Sequence, residues 1–557
     1  MELLDSRRLT GANAVSDCAG AVIDVAVDES QLDTVISKWR TEIRRVLDAV
    51  GWQDQRLFIR RCEGGASLAI SAPIDALYAA TEVNEWAWAT VAGQTDEELD
   101  AAENRLRDAI KEESNPALLE LEAAARQHRQ VFLSDDDEAS IGLGTGSETW
   151  SVRELPAPDT VDWQRLHDIP VGLITGTNGK TTSARLASAV ARAAGLHVGF
   201  SSTDGLVVDE QLIEPGDFAG PGGARTTLRH KQVEIAILET ARGGLLRRGI
   251  GVPRAQAALI TRIARDHIGD FGSRNLDELL DAKWVVTRAL GADGRLVLNA
   301  DDRLLVARAE QSPAPVVFFS LDTNNPVIHR HVDTGGEAWA YDGESLSVAR
   351  DGQWRQVVRA DELPLTLGGA ARHNIGNALG VAALCEALGI DRDAIVRGLK
   401  AFSPAENPGR GNLYDVGGVK VLVDFAHNPD AFRAIVELAS NLSAKRRLIA
   451  FGEAGDRTDE LICDLATTAW QLKPDRVITL EIEKYARGRE RGEIAKLLHE
   501  RFLALGAGKT QLQHHETEIG ALKDALNWAE PGDLVIMLSL AEQEAVLAHL
   551  QNQTPPH

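Results

Sequence analysis

Residues 172–182, Gly-Leu-Ile-Thr-Gly-Thr-Asn-Gly-Lys-Thr-Thr, constrain this chain more than any other stretch. Residues 169–174 are mostly apolar and read as a buried strand. Gly176 and Gly179 break it, and the Ala-rich residues 183–194 read as a helix. Strand, glycine turn, lysine, hydroxyl and helix together are a recipe for holding polyphosphate. Backbone N–H groups and the helix N-terminus face the anion, Lys180 adds a point charge, and Thr181 can ligate Mg²⁺. Gly176, Thr177, Asn178, Gly179, Lys180, Thr181 and Thr182 are therefore candidate phosphate-binding residues. Ile174 stands where the eight-residue phosphate loop has its first glycine, so this loop is a shorter variant. The competing reading is a plain strand–turn–helix connection with a chance lysine.

Composition sets the broad class. With 557 residues, 44% apolar and 25% charged, the chain can bury a sizeable core, and its length suggests more than one domain. The net charge is −24 and there is no long basic block, which argues against nucleic acid as a partner. Cys18, Cys62, Cys385 and Cys463 lie far apart and make no metal or disulfide pattern. The amino terminus lacks a signal-peptide pattern, and no uncharged apolar run reaches the roughly 18 residues of a membrane span. A cytoplasmic chain without membrane association is the expectation.

Residues 1 to about 130 mix strand signals at 21–27, 57–61 and 67–71 with helix signals at 31–50, 74–91, 96–113 and 116–130. They predict a small α+β domain without a catalytic constellation. Trp86 and Trp88 read as core or interface, and Glu82 and Glu85 as a solvated helix face. Residues 134–138, Ser-Asp-Asp-Asp-Glu, followed by Gly142, Gly144 and Gly146, read as a solvated acidic linker. From residue 170 to about 399 strands at 171–175, 234–239, 257–261, 295–298 and 315–319 alternate with helices, one of them around 276–290. This predicts a largely parallel sheet covered on both faces, with ligands at the carboxyl ends of its strands. Pro404, Pro408 and Gly409 mark a boundary. Strands at 419–425, 447–452, 476–480 and 533–538 then alternate with helices at 430–442, 459–471 and 492–505. The expected division is 1–150, 151–404 and 405–557.

Four further stretches join the phosphate loop. Residues 237–249 carry Glu239 at a strand end, where a carboxylate calls for a cation. Residues 261–267 close another strand at Asp266-His267, residues 371–377 open a helix, and residues 423–429 end the first strand of the third domain. With these in place the chain resembles the Mur ligase superfamily, and within it the cyanophycin synthetase branch. The matching stretches are 176–182, 216–225, 238–249, 266–269, 298–302, 373–378, 408–413, 424–429, 455–457 and 487–489. The resemblance implies an α/β fold: a P-loop-type central parallel-sheet domain and a Rossmann-like C-terminal domain that closes over nucleotide, preceded by the small α+β domain. It also implies an ATP- and Mg²⁺-dependent ligase that activates a carboxylate as an acyl phosphate and joins it to an amine. Lys180 would hold the β- and γ-phosphates. Thr181, Glu239 and His267 would hold metal, and Asn374 and Asn377 would lie near the adenine. Arg410 and Asp424 would reach the γ-phosphate and ribose. Lys283 sits where several relatives carry a carbamylated lysine, with a plain helix-surface lysine as the competing reading.

Two departures matter. Cyanophycin synthetase places an ATP-grasp domain between its N-terminal and Mur-like parts, and here only a few dozen residues separate Asp135 from the phosphate loop. A single ligation, on an amino-acid or peptide acceptor, is then expected, with arginine as one guess for the amine. Arg262 stands where relatives have Asn, and could place a cation beside the acyl phosphate. A homo-oligomer and a separate ATP-grasp ligase are left open as partners. The alternatives are a cell-wall or poly-γ-glutamate-type ligase, and a non-catalytic nucleotide-binding partner of an ATP-grasp enzyme.

Overall fold

The computed structural model describes residues 1–266 and 275–553. The chain begins with a four-stranded antiparallel sheet in the order Glu2–Leu9, Gly20–Ala26, Gly65–Ser71, Leu57–Cys62. The helix Glu29–Val50 packs against it. Leu32, Val35, Ile36, Trp39, Ile43, Val46, Leu47 and Val50 recur at helical spacing and all are buried. Gly51, at φ +86°, ends the helix in the left-handed conformation. Trp39 Nε1 donates to Asn84 Oδ1 at 3.0 Å, and Asn84 Nδ2 donates to Leu68 O at 3.0 Å, so this buried amide is satisfied by sheet and helix together. Trp86 and Trp88 are core residues, as expected. The Glu2–Leu9 strand escaped the sequence reading because its largely charged residues show no alternation of burial.

The stretch expected to be an acidic linker is a folded brace. Phe132–Ser134, Glu138–Ile141 and Glu148–Ser151 form an antiparallel three-stranded sheet, and Asp135 and Asp136 occupy its first turn. Asp135 accepts from Arg229 at 2.6 Å and lies 3.5 Å from Arg225, both on the helix Pro221–Arg229. Asp136 pairs with Arg8 of the first strand and accepts from the Tyr78 hydroxyl at 3.3 Å. Opposite charges on two flanking elements therefore order carboxylates that the sequence alone places in water.

The central sheet has eleven strands. From Val198–Ser202 through Ile235–Glu239, Val171–Thr175, Ala255–Ile260, Leu290–Asn299 and Val316–Ser320 to Ala338–Tyr341 it is parallel. Antiparallel additions flank it at 205–215 and 345–359. The helices Lys180–Ala193, Arg372–Ala387 and Arg392–Ala401 cover one face, and Pro221–Arg229 and Leu276–Trp284 cover the other. Val171–Thr175 is buried throughout, which explains its continuous apolar run. The chain leaves this central strand for one side and later returns on the other. The carboxyl ends of Val171–Thr175, Ile235–Glu239 and Ala255–Ile260 thus meet at a switch point, where ligands bind in such sheets. The last sheet runs Arg410–Val416, Val419–Asp424, Leu534–Leu538, Arg447–Phe451, Arg476–Leu480, Leu512–His515, parallel except for its first pair. No helix among the described residues is long and apolar enough to cross a membrane.

The brace makes a prediction. Burial pushes the Asp135 carboxyl up, but the charge and hydrogen bond of Arg229 outweigh it, leaving Asp135 below its ordinary value of 3.8. A lowered carboxyl contributes stability that is full above that value and lost as pH falls toward the folded one. Asp135→Asn should cost about 1–3 kcal/mol at neutral pH. The gap in thermal midpoint from wild type should narrow as pH falls below about 4. A gap that does not shrink as pH falls contradicts an ionic brace.

Candidate active site

Gly176 and Gly179 give the loop its shape. Gly176 has φ +149°, and a Cβ there would stand 1.9 Å from Thr261 Oγ1; Gly179 has φ +85°, and a Cβ would stand 2.4 Å from Asn377 Oδ1. Only glycine meets both the backbone and the space. The helix Lys180–Ala193 starts directly after Gly179, so its free N–H groups face the loop's concavity. The loop is stapled to the neighbouring strand end: Thr261 Oγ1 donates to Asn178 O at 2.6 Å, and Thr177 N donates to Arg262 O at 2.7 Å. From below, Lys283 Nζ donates to Gly176 O at 2.7 Å. Lys283 is buried, so the helix-surface reading is excluded; burial and the charge of Lys180 hold its amine well below the usual lysine range. Lys180 Nζ donates to Thr177 O at 3.0 Å.

A cavity of about 930 Å³ opens on one side of the loop. Thr181, Thr203, Asp204, Glu239, Asp266, Lys283 and the cations Lys180, Arg242, Arg410 and Arg487 line it. Glu239 is 2% exposed, and neither carboxylate oxygen has a hydrogen-bond partner among the described residues. Burial raises its pKa, while Lys180 and then the neighbouring Thr181 hydroxyl pull it part of the way back. A buried carboxylate with both oxygens unsatisfied, beside the hydroxyl of Thr181 at a helix N-terminus, fits a divalent cation. Thr181 Oγ1 lies 3.3 Å from Thr203 Oγ1. His267, the other expected metal ligand, lies outside the described residues.

A smaller cavity of about 370 Å³ lies on the other side, lined by Asn299, Phe319, Leu321, His373, Asn374, Asn377, Asp424 and Arg433 among others. Asn377 Nδ2 donates to Asn374 Oδ1 at 3.1 Å, and Asn374 Nδ2 donates to Leu365 O at 3.1 Å, so the two amides hold each other in place. Arg410 lines both cavities, with its guanidinium 4.4 Å from the centre of the Phe425 ring. Arg410 pairs in register with Asp424; burial pushes the Asp424 carboxyl up to about 6, and Arg410 pulls against it. The two cavities suit a nucleoside on one side and the reacting groups on the other.

The structure thus gathers Lys180, Thr181, Glu239, Lys283, Arg410, Asn374, Asn377 and Asp424 around one loop. Arg262 differs from expectation. It lines the smaller cavity and pairs with Asp430 at 3.2 Å, because the C-terminal domain brings a carboxylate to it. The sequence reading missed Thr203 and Asp204, which follow the strand Val198–Ser202; a hydroxyl and an acid at a strand's carboxyl end were the available signal. It also missed Asn407, fully buried in the hinge, whose Nδ2 donates to Thr182 Oγ1 at 3.3 Å.

The unpaired Glu239 is testable without turnover. Its raised pKa means that the fold favours the protonated form, so stability falls as pH rises through the folded pKa. In chelator at pH 8, Glu239→Gln should be more stable than wild type by about 1–3 kcal/mol. Mg²⁺ with a nucleoside triphosphate should raise the wild-type melting temperature and leave the variant behind. A variant that melts below wild type in chelator contradicts an unpaired carboxylate.

Comparison with known proteins agrees with this geometry. Residues 174–385 match the Mur ligase middle domain, and residues 409–539 match the Mur ligase glutamate ligase domain. Cyanophycin synthetase of Nostoc sp. is 34% identical over 386 residues, 68% of this chain and 42% of that protein. UDP-N-acetylmuramoyl-L-alanyl-D-glutamate–2,6-diaminopimelate ligase of Geobacter metallireducens is 29% identical over 301 residues, 52% of this chain and 55% of that protein. FolC of E. coli, solved with DHPP and ADP, shares the fold with a TM-score of 0.51 at 18% identity, over 69% of this chain and 89% of that one. The chain spans less than half the length of the cyanophycin synthetases it matches. With its phosphate loop, its switch-point carboxylate and both matched domains in order, the chain belongs to the Mur ligase superfamily and is similar within it to the Mur-ligase part of cyanophycin synthetase.

Proposed function

We propose that this chain is an ATP- and Mg²⁺-dependent carboxylate–amine ligase that works through an acyl phosphate. The observation that carries the proposal is the unpartnered Glu239 carboxylate beside Lys180, in a cavity also lined by Arg242, Arg410 and Arg487. A carboxylate is a poor electrophile until one of its oxygens is phosphorylated. The anions that must meet, substrate carboxylate and γ-phosphate, repel one another, so a cation-lined, partly closed cavity is what the chemistry needs.

The loop N–H groups and Lys180 bind and orient the triphosphate, with the adenosine toward Asn374, Asn377 and Asp424. Thr181, Glu239 and His267 are the residues to hold Mg²⁺, which when bound supplies charge to bring the carboxylate and γ-phosphate together. Arg410, shared by the two cavities, would neutralise the γ-phosphate as a substrate carboxylate oxygen bonds to its phosphorus and its bond to the β-phosphate oxygen breaks, releasing ADP. The amine then attacks the acyl carbon, and phosphate leaves with the C–O bond. Arg242 and Arg487 face the acceptor side and suit its anionic groups. The amine nitrogen must lose a proton to complete the amide, and Asp204 and Asp266 are carboxylates in the same cavity that could take it. Lys283, beneath Gly176, holds the loop as an amine. Carbamylation there would replace that contact with an anionic orienter for the metal.

The similarity to cyanophycin synthetase, and to the diaminopimelate-adding ligase, supports an amino acid as the amine and a peptide as the acceptor. Arginine is the first amine to try, because residues 487–493 resemble cyanophycin synthetase. Incubation with ATP, Mg²⁺, arginine and an aspartyl peptide should release phosphate in an amine-dependent way. The product mass should be that of peptide plus arginine less water. Lys180→Ala should lower this rate at least about 10²-fold. Amine-dependent phosphate release that survives Lys180→Ala would place the chemistry elsewhere.

A further inference from the structure

The phosphate loop makes its main side-chain contact with another domain through Asn178. Asn178 Nδ2 donates to Asn428 Oδ1 at 3.1 Å and to Asp430 Oδ2 at 3.0 Å. Its Oδ1 accepts from Asn428 Nδ2 at 2.9 Å. A primary amide has two donor protons and one acceptor oxygen. Both protons and the oxygen of Asn178 are thus engaged by the C-terminal domain, although the loop sequence alone suggests a phosphate contact.

The partner side is equally committed. Asn428 is the N-cap of the helix Pro429–Asn441, where its Oδ1 accepts from Ala431 N at 3.0 Å. Its second proton reaches Asp266 Oδ2 at 3.3 Å. Asn428 is 2% exposed, so in this closed arrangement its amide is desolvated and fully paired, with both of its donated bonds going to the central domain. Separating the domains would take both protons from their partners together. The backbone of Asn178 cannot follow the C-terminal domain, because Thr261 Oγ1 holds its carbonyl at 2.6 Å. The next residue, Gly179, carries the left-handed turn that sets Lys180 at the helix start. The reciprocal amide pair is therefore the shortest mechanical link between domain closure and the lysine.

We propose that Asn178 is a positioning residue through which the phosphate loop registers closure of the C-terminal domain, by exchanging hydrogen bonds with the helix cap Asn428. This rests on the ligase reading above and deepens it: the loop reaches its working shape only when the domain that supplies Arg410 and Asp424 has docked. Water is then excluded before the acyl phosphate forms.

The test is a double-mutant cycle in the full chain with Asn178→Ala and Asn428→Ser; serine keeps the helix cap and removes both donated protons. Each single substitution should lower kcat for amine-dependent phosphate release about tenfold, and the double should fall no further. With Mg²⁺ and AMP-PNP, small-angle scattering should show wild type compact and all three variants more open. Additive losses of kcat, or variants as compact as wild type, would overturn the proposal and leave Asn178 as a nucleotide contact. If Asn178→Ala does not fold, Asn428→Ser alone carries the scattering comparison. If no amine supports turnover but scattering separates wild type from the variants, the ligase reading fails and the closure role stands.

Discussion

Burying Glu239 without a hydrogen-bond partner is the constraint on which the rest of this site depends. Taking a carboxylate out of water costs several kcal/mol unless a cation meets it. The sheet places it there because Ile235–Glu239 and Val171–Thr175 are parallel neighbours, paired residue for residue up to Glu239 and Ile174. The strand that ends in Glu239 therefore stops where the phosphate loop begins. A glycine loop, a helix N-terminus and Lys180 then surround one negative charge with positive potential. That potential is in excess of what Glu239 needs, as Lys180, Arg242, Arg410 and Arg487 line the same cavity as Glu239, Asp204 and Asp266. The surplus is what a triphosphate and a substrate carboxylate would complete.

The parts of the site that lie within one strand–loop unit were legible in the sequence. Residues 172–182, Glu239 and Asp424 each sit at the end of an apolar run, and the period of that run reports its place in the sheet. The buried strands, and the helices with a clear apolar stripe such as Glu29–Val50, were legible for the same reason. What could not be read is what depends on partners distant in sequence. The residues 132–151 sheet looked like an acidic linker because Arg8, Arg225 and Arg229, which order it, lie about 90 to 130 residues away or farther in the fold's logic than in any local pattern. Arg262 looked like an active-site cation because Asp430, its partner, belongs to another domain.

The N-terminal sheet is not an appendage to this site. Arg7 Nε donates to Leu246 O at 3.1 Å, and Ile250 N donates to Ala12 O at 2.7 Å. These contacts grip the segment that starts at Glu239 and includes Arg242. On the other flank Glu63 N donates to Glu278 at 3.2 Å, and Arg60 lies 3.7 Å from Asp281; both acids are on the Leu276–Trp284 helix that carries Lys283. Two helices that deliver side chains to the large cavity are thus backed by the first domain. The first domain thus supports the wall opposite the phosphate loop.

The wall and the lid both meet the central domain through polar contacts. On the N-terminal side the contacts are backbone hydrogen bonds and arginine–carboxylate pairs. On the C-terminal side the contacts across the cleft are neutral amides and a few charged pairs around Asp266, Asn428 and Asp430. Each such contact contributes about 1 kcal/mol net, because water replaces it on opening. A lid made of contacts that water can substitute opens and closes at low cost. Asn428 shows how this is compatible with order: its cap bond to Ala431 is internal to the C-terminal domain and survives opening, while its bonds to Asn178 and Asp266 do not. The helix stays intact through the cycle and presents the same amide to the loop at every closure.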